Sequence, residues 1–101
     1  MRFLLCLVIL VGCVPMSQVE HNAETSCKAS YPRGSVRVAK CLEGIQVAKG
    51  VFEQRLNRRS TYNDLMEATY IAERRCPNDR SYADCSFGVR LLKEHLERQY
   101  R

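Results

Sequence analysis

Four cysteines, a histidine beside a glutamate and two pairs of adjacent arginines are the residues with chemistry to offer in this 101-residue sequence. Cys27, Cys41, Cys76 and Cys85 lie outside the apolar start of the chain. An even number of cysteines in a short chain predicts two disulfides, made in an oxidising compartment. No CxxC occurs, and His21 and His95 are not at ligand spacing, so no metal site is expected. Two disulfides would also leave no thiol nucleophile in this part of the chain. Glu94 and His95 are adjacent, and on a helix adjacent side chains point ~100° apart, so they do not make an acid–base pair. GxSxG, HExxH, P-loop and EF-hand patterns are absent. No catalytic residue and no cofactor-binding residue is identified, and the expectation is a protein that is not an enzyme.

The arginine pairs are Arg58-Arg59 and Arg74-Arg75. Dibasic pairs are sites that secretory endoproteases cut. They also serve as solvated charge, and cations in the last turn of a helix complement its dipole. The net charge is +5, with 16 basic and 11 acidic residues. This mildly favours anionic partners, but it lacks the dense Lys/Arg tracts of nucleic-acid binders, so no nucleic acid is expected as partner.

The N-terminus bears on which partners the chain can meet. Arg2 is a single basic residue, and Phe3 to Cys13 is an apolar run of about signal-peptide length. It is too short to span a bilayer, which takes ~20 apolar residues. Residues 1–17 are therefore read as a secretory signal peptide, cleaved somewhere after residue 13 to 18. Leu10-Val11-Gly12-Cys13 also resembles a bacterial lipobox, which would make Cys13 a lipid anchor. Cleavage leaves roughly 83 to 88 residues, one small domain. A core of that size is marginal without staples.

The elements that must position these residues are helical. Residues 18–34 show no sustained periodicity, and Tyr31-Pro32-Arg33-Gly34 is a turn, so an irregular N-terminal segment is expected. From Ser35, a good N-cap, Val38, Leu42, Ile45, Ala48, Phe52 and Leu56 step along one helical face. Gly44 and Gly50 interrupt that helix, either to allow close packing or simply tolerated. Thr61 and Asp64 form a variant capping box for a second helix from Tyr62 to about Arg75. Its inner stripe is read as Tyr62, Leu65, Thr69, Ala72 and Cys76, widened by Met66 and Tyr70. Pro77 ends it. A third helix starts at Ser81, with Asp84 as its capping partner and Cys85, Val89, Leu92 and Leu96 inside. Short connections favour antiparallel neighbours. The expected fold is all-α: residues 35–101 as an up-down-up three-helix bundle stapled by two disulfides.

In such a bundle the four cysteines gather at one end. Matching depth along parallel first and third helices predicts Cys41–Cys85, leaving Cys27–Cys76, although Cys27–Cys85 with Cys41–Cys76 stays open. Loop-closure entropy favours long loops and agrees in direction. The other end collects Arg55, Arg58, Arg59, Arg98 and Arg101, the one surface that topology makes notable. The functional expectation is a secreted, non-enzymatic effector of the hormone, pheromone, reproductive-fluid or venom type. It would bind an extracellular protein or an anionic surface through that basic end. A carrier of small apolar ligands, with Phe52, Met66 and Tyr70 lining a cavity, is the alternative. A lipoprotein anchored through Cys13 is another.

Overall fold

The structure is a computed structural model that describes residues 4–5 and 14–98. Residues 6–13, with Cys13 and most of the expected signal peptide, lie outside the described residues, as does Arg101. Leu4–Leu5 (β1) and Val14–Pro15 (β2) form a minimal antiparallel bridge. Everything else that is regular is helical: α1 (Met16–Ser30), α2 (Val36–Arg55), α3 (Tyr62–Arg74) and α4 (Tyr82–Glu97). The described residues are thus all-α with two disulfides, and they form four helices where three were expected.

The additional helix is α1, which replaces the irregular segment expected over 18–34. Met16, Val19, Ala23 and Cys27 are its buried residues, spaced three, four and four apart. That is a helical stripe with only about one apolar residue per turn, thinner than the usual amphipathic face. Its first member also falls inside the stretch assigned to the signal peptide. All four are at 2% exposure or less, so tertiary packing supports a helix whose apolar stripe is thin. Polar contacts hold it against α2. Lys49 Nζ lies 2.9 Å from Glu20 Oε1, and Gln46 donates to the other Glu20 oxygen.

The caps match the sequence reading at two of three places. Ser35 Oγ accepts from the Val38 amide. At α3 the Thr61 side chain accepts from the Asp64 amide while Asp64 accepts from the Thr61 amide, a complete capping box. The expected Ser81–Asp84 cap is absent. Ser81 adopts αR geometry, and its hydroxyl donates to Asp79 Oδ1 at 2.6 Å instead. Asp84 turns away to accept from Tyr31 Oη at 3.1 Å and Arg37 Nε at 3.2 Å. The Arg37 guanidinium stands 4.6 Å from the centre of the Tyr31 ring, which packs edge-on against Phe87. Asp84 thereby ties the α1–α2 turn to the start of α4.

The inner faces differ in part from the expected stripes. Phe52, Ile45, Leu65, Leu92, Leu96 and Val89 are fully buried in one core. In α3, however, the buried residues are Leu65, Ala68, Thr69 and Ala72. Tyr62, Met66 and Tyr70 are exposed, at 42%, 40% and 59%. The helix is rotated relative to the expected stripe because Ala68 allows close approach where the aromatic residues would not.

The α2–α4 contact is the most extensive in the molecule, and α1 and α3 each pack against both of these helices. Two glycines set the α2–α4 distance. A Cβ on Gly44 would stand 2.0 Å from the Cys85 carbonyl oxygen, and one on Gly88 would stand 2.0 Å from the Cys41 carbonyl oxygen. Both distances are far inside van der Waals contact, and both obstacles are backbone. Gly50 meets nothing within 4 Å. Of the two glycines that interrupt α2, one is thus a packing requirement and the other is incidental.

This contrast is measurable by urea denaturation. Gly44→Ala and Gly88→Ala should each lower stability by about 1–3 kcal/mol, the usual cost of overpacking. Gly50→Ala should be neutral or stabilise by up to about 1 kcal/mol, the helix-propensity gain. Equal midpoints for all three variants would contradict the glycine contact.

Candidate functional site

Among the described residues the disulfides are Cys27–Cys41 and Cys76–Cys85, which corrects the expected Cys41–Cys85 and Cys27–Cys76. Among the described residues no cysteine is free. The correction follows from α1. Because α1 folds back on α2, Cys27 near its end and Cys41 near the start of α2 face each other, with Cα atoms 5.9 Å apart. Cys76 just beyond α3 meets Cys85 in the first turns of α4 at 5.8 Å. Loop entropy acts on the unfolded chain and cannot overrule such proximity. The short loops, 14 and 9 residues in separation, still contribute on the order of 3 kcal/mol each in the chain-entropy model. Each bridge closes one helical hairpin, α1–α2 or α3–α4, and neither crosses between them.

The two hairpins are joined by the connection 56–61. Leu56 is buried, and Asn57 then starts a tight turn. Its Oδ1 accepts from the Arg59 amide at 2.8 Å, its amide donates to Ser60 Oγ at 2.9 Å, and its carbonyl accepts from the Ser60 amide at 3.1 Å. Arg58 and Arg59 occupy the tip, both exposed. Arg55 ends α2 and is exposed, and Arg98 is the exposed C-cap of α4. Arg55, Arg58, Arg59 and Arg98 form no ion pair with any described residue.

The α3–α4 pairing is antiparallel: Glu73 meets Ser86 and Arg90, and Tyr62 lies near Lys93. The end of α4, with Arg98, therefore sits towards the start of α3 and the basic turn. Beyond Arg59 the exposed surface continues into Tyr62, Met66 and Tyr70, spaced four apart on one face of α3. The Arg74 guanidinium lies 5.6 Å from the Tyr70 ring centre. Helical spacing predicts Tyr62, Met66 and Tyr70 inside, and the structure has them outside. The signal for the outside placement was the cleaner face made by Leu65, Ala68, Thr69, Ala72 and Cys76.

The other candidates do not assemble. Phe52 is in the core while Met66 and Tyr70 are outside, so the three do not line one cavity. The surface carries hollows among the described residues. One of about 370 Å³ is lined by Lys93, Glu94, Glu97 and Arg98, and one of about 250 Å³ by Lys28, Arg33, Gly34 and Val38. His95 does not engage Glu94. Its Nε2 lies 3.3 Å from Ser26 Oγ on α1. Burial, and secondarily the Arg98 charge, lowers the His95 pKa from the ordinary histidine value, with Glu94 opposing. Among the described residues no group of His, Cys, Asp and Glu is arranged to hold a metal. None of the described helices is long and apolar enough to cross a membrane.

Comparison with known proteins finds no matching family model, no similar curated protein and no similar solved structure.

His95 makes stability depend on pH in a defined direction. Its folded pKa lies below the unfolded value of about 6.5, so the unfolded chain takes the proton first. The stabilisation is complete above that value and is lost as pH falls through the folded pKa. Denaturation midpoints measured from pH 8 to 5 should fall more steeply below neutrality for the wild type than for His95→Gln. Parallel profiles would show that the fold does not hold the His95 pKa down.

Proposed function

We propose that the protein is secreted and acts outside the cell, without catalysis, by binding an acidic protein partner through the basic turn and the adjoining face of α3. The observation that carries this reading is the run from Arg58 to Tyr70. It holds two unpaired exposed arginines followed by three exposed large side chains, Tyr62, Met66 and Tyr70. Tyr, Met and Arg are types enriched at protein interfaces, and Tyr and Arg are enriched among hot spots. Cations at the rim would steer an acidic surface towards the complex. The two short-loop disulfides suit an oxidising, extracellular setting.

Met16 supports cleavage of the N-terminal segment after Cys13. A cut after Ser17 or Gln18 would remove a side chain that is 1% exposed in the core, and emptying such a site costs about 2–5 kcal/mol. A cut before Val14 leaves α1 whole. When the full chain is expressed in secretory cells, intact mass should show an unlipidated product beginning at Val14 in the medium. A retained chain, or a lipid on Cys13, would overturn secretion as a soluble protein.

The charge component is tested by elution from immobilised heparin, used as a generic polyanion, along a salt gradient. Arg58→Gln with Arg59→Gln should elute at lower salt than the wild type, and the difference should reflect screening of exposed charge. Folding stability should change by no more than about 0.5 kcal/mol. Identical elution would remove the basic turn from the binding surface. For the apolar component, Tyr70→Ala should leave heparin elution unchanged while weakening capture of the physiological partner.

A further inference from the structure

We propose that the Arg59–Ser60 peptide bond is a processing site for a dibasic-specific secretory endoprotease, and that its hydrolysis converts the protein into a two-chain, non-covalently associated form. This inference rests on the secretion reading above, because such proteases act along the secretory route.

The fold treats the two dibasic pairs differently. Arg58-Arg59 sits at a turn tip, and no residue from Asn57 to Asp64 is buried. This is an eight-residue window flanked by buried Leu56 and Leu65. The turn is held by three hydrogen bonds, all between Asn57, Arg59 and Ser60, so a protease can extend residues 57–60 by breaking those three, and further extension on the far side opens only the exposed Thr61–Asp64 capping box. Arg74-Arg75 offers the same residue types in a locked setting. Arg74 is the last residue of α3 and stacks on Tyr70. The Arg75 amide donates to the carbonyls of Ala72 and Glu73. The next residue, Cys76, is buried and bridged to Cys85. Extending that segment requires opening both the helix end and the disulfide-bound loop.

Position makes the exposed pair consequential. Cys27–Cys41 lies wholly before the bond and Cys76–Cys85 wholly after it. Water adds across the bond, hydroxyl to the Arg59 carbonyl carbon and proton to the Ser60 nitrogen as the C–N bond breaks, and the acid proton then passes to the amine, leaving an Arg59 carboxylate and a Ser60 ammonium. No covalent link then joins 14–59 to 60–101. What holds the halves together is the α2–α4 contact at Gly44 and Gly88, the shared core, Asp84 bound to Tyr31 and Arg37 and the Ser26–His95 contact.

Incubation of the folded, unreduced protein with a dibasic-specific endoprotease of the prohormone-convertase type tests this. The expected result is a cut after Arg59, read by intact mass without reductant. The two pieces should co-elute on size exclusion in native buffer and separate in denaturant without reductant. Arg58→Gln with Arg59→Gln should resist, whereas Arg74→Gln with Arg75→Gln should be cut like the wild type. No cut after Arg59 in the folded protein, a first cut after Arg75, or dissociation of the pieces in native buffer would overturn the proposal. Product from secretory cells separates this inference from the one beneath it. A secreted chain that begins at Val14 but is continuous through Arg59 refutes processing and leaves secretion standing. A chain retained with residues 1–13 refutes secretion, while the purified protein still reports on the bond.

Discussion

The backbone contact between α2 and α4 is the constraint on which the rest of the structure depends. Gly44 lies against the carbonyl of Cys85, and Gly88 against the carbonyl of Cys41. Each glycine therefore touches a cysteine of the other hairpin. The contact fixes where both disulfide-bearing segments sit, and α1 and α3 are packed around the pair it creates. A side chain at either glycine would push the two helices apart and open the core containing Ile45, Val89 and Leu92.

The disulfides play a different part from the glycines. Each one closes a hairpin whose helices are already neighbours in sequence, and so reduces the conformational freedom of the unfolded chain locally. Neither fixes the arrangement of one hairpin on the other. That arrangement is left to apolar packing, to the Ser26–His95 contact and to Asp84, which is buried and whose carboxylate receives both Tyr31 and Arg37. The molecule is covalently constrained within each half and non-covalently assembled between them. The basic turn is the only stretch of chain that passes from one half to the other.

That turn also begins the most distinctive surface. Arg58 and Arg59 stand free at its tip, and the capping box of Thr61 and Asp64 immediately starts α3, setting Tyr62, Met66 and Tyr70 in a row. Their exposure follows from the rotation of α3, which faces its small residues Ala68 and Ala72 to the core. The large side chains are left at the surface, where burial no longer accounts for them.

Much of this was legible in the residues. The all-α class, the two bridges, the starts of α2 and α3, and the inner face of α4 follow from apolar spacing, capping chemistry and cysteine number. These are local properties, set within a turn or two of the chain. Three features were decided by the tertiary structure. α1 exists because its thin stripe of Met16, Val19, Ala23 and Cys27 finds a surface to bury against, which no helical propensity of its own announces. Cysteine pairing depends on α1, because folding 16–30 back along α2 brings Cys27 to Cys41 before any longer-range partner. The facing of α3 depends on how closely backbones approach, so that alanines and glycines, which carry the least signal in a sequence, determine which side chains are inside. Sequence by itself determines what each segment can form. The fit between surfaces, made where side chains are smallest, decides which face is buried and which cysteines meet.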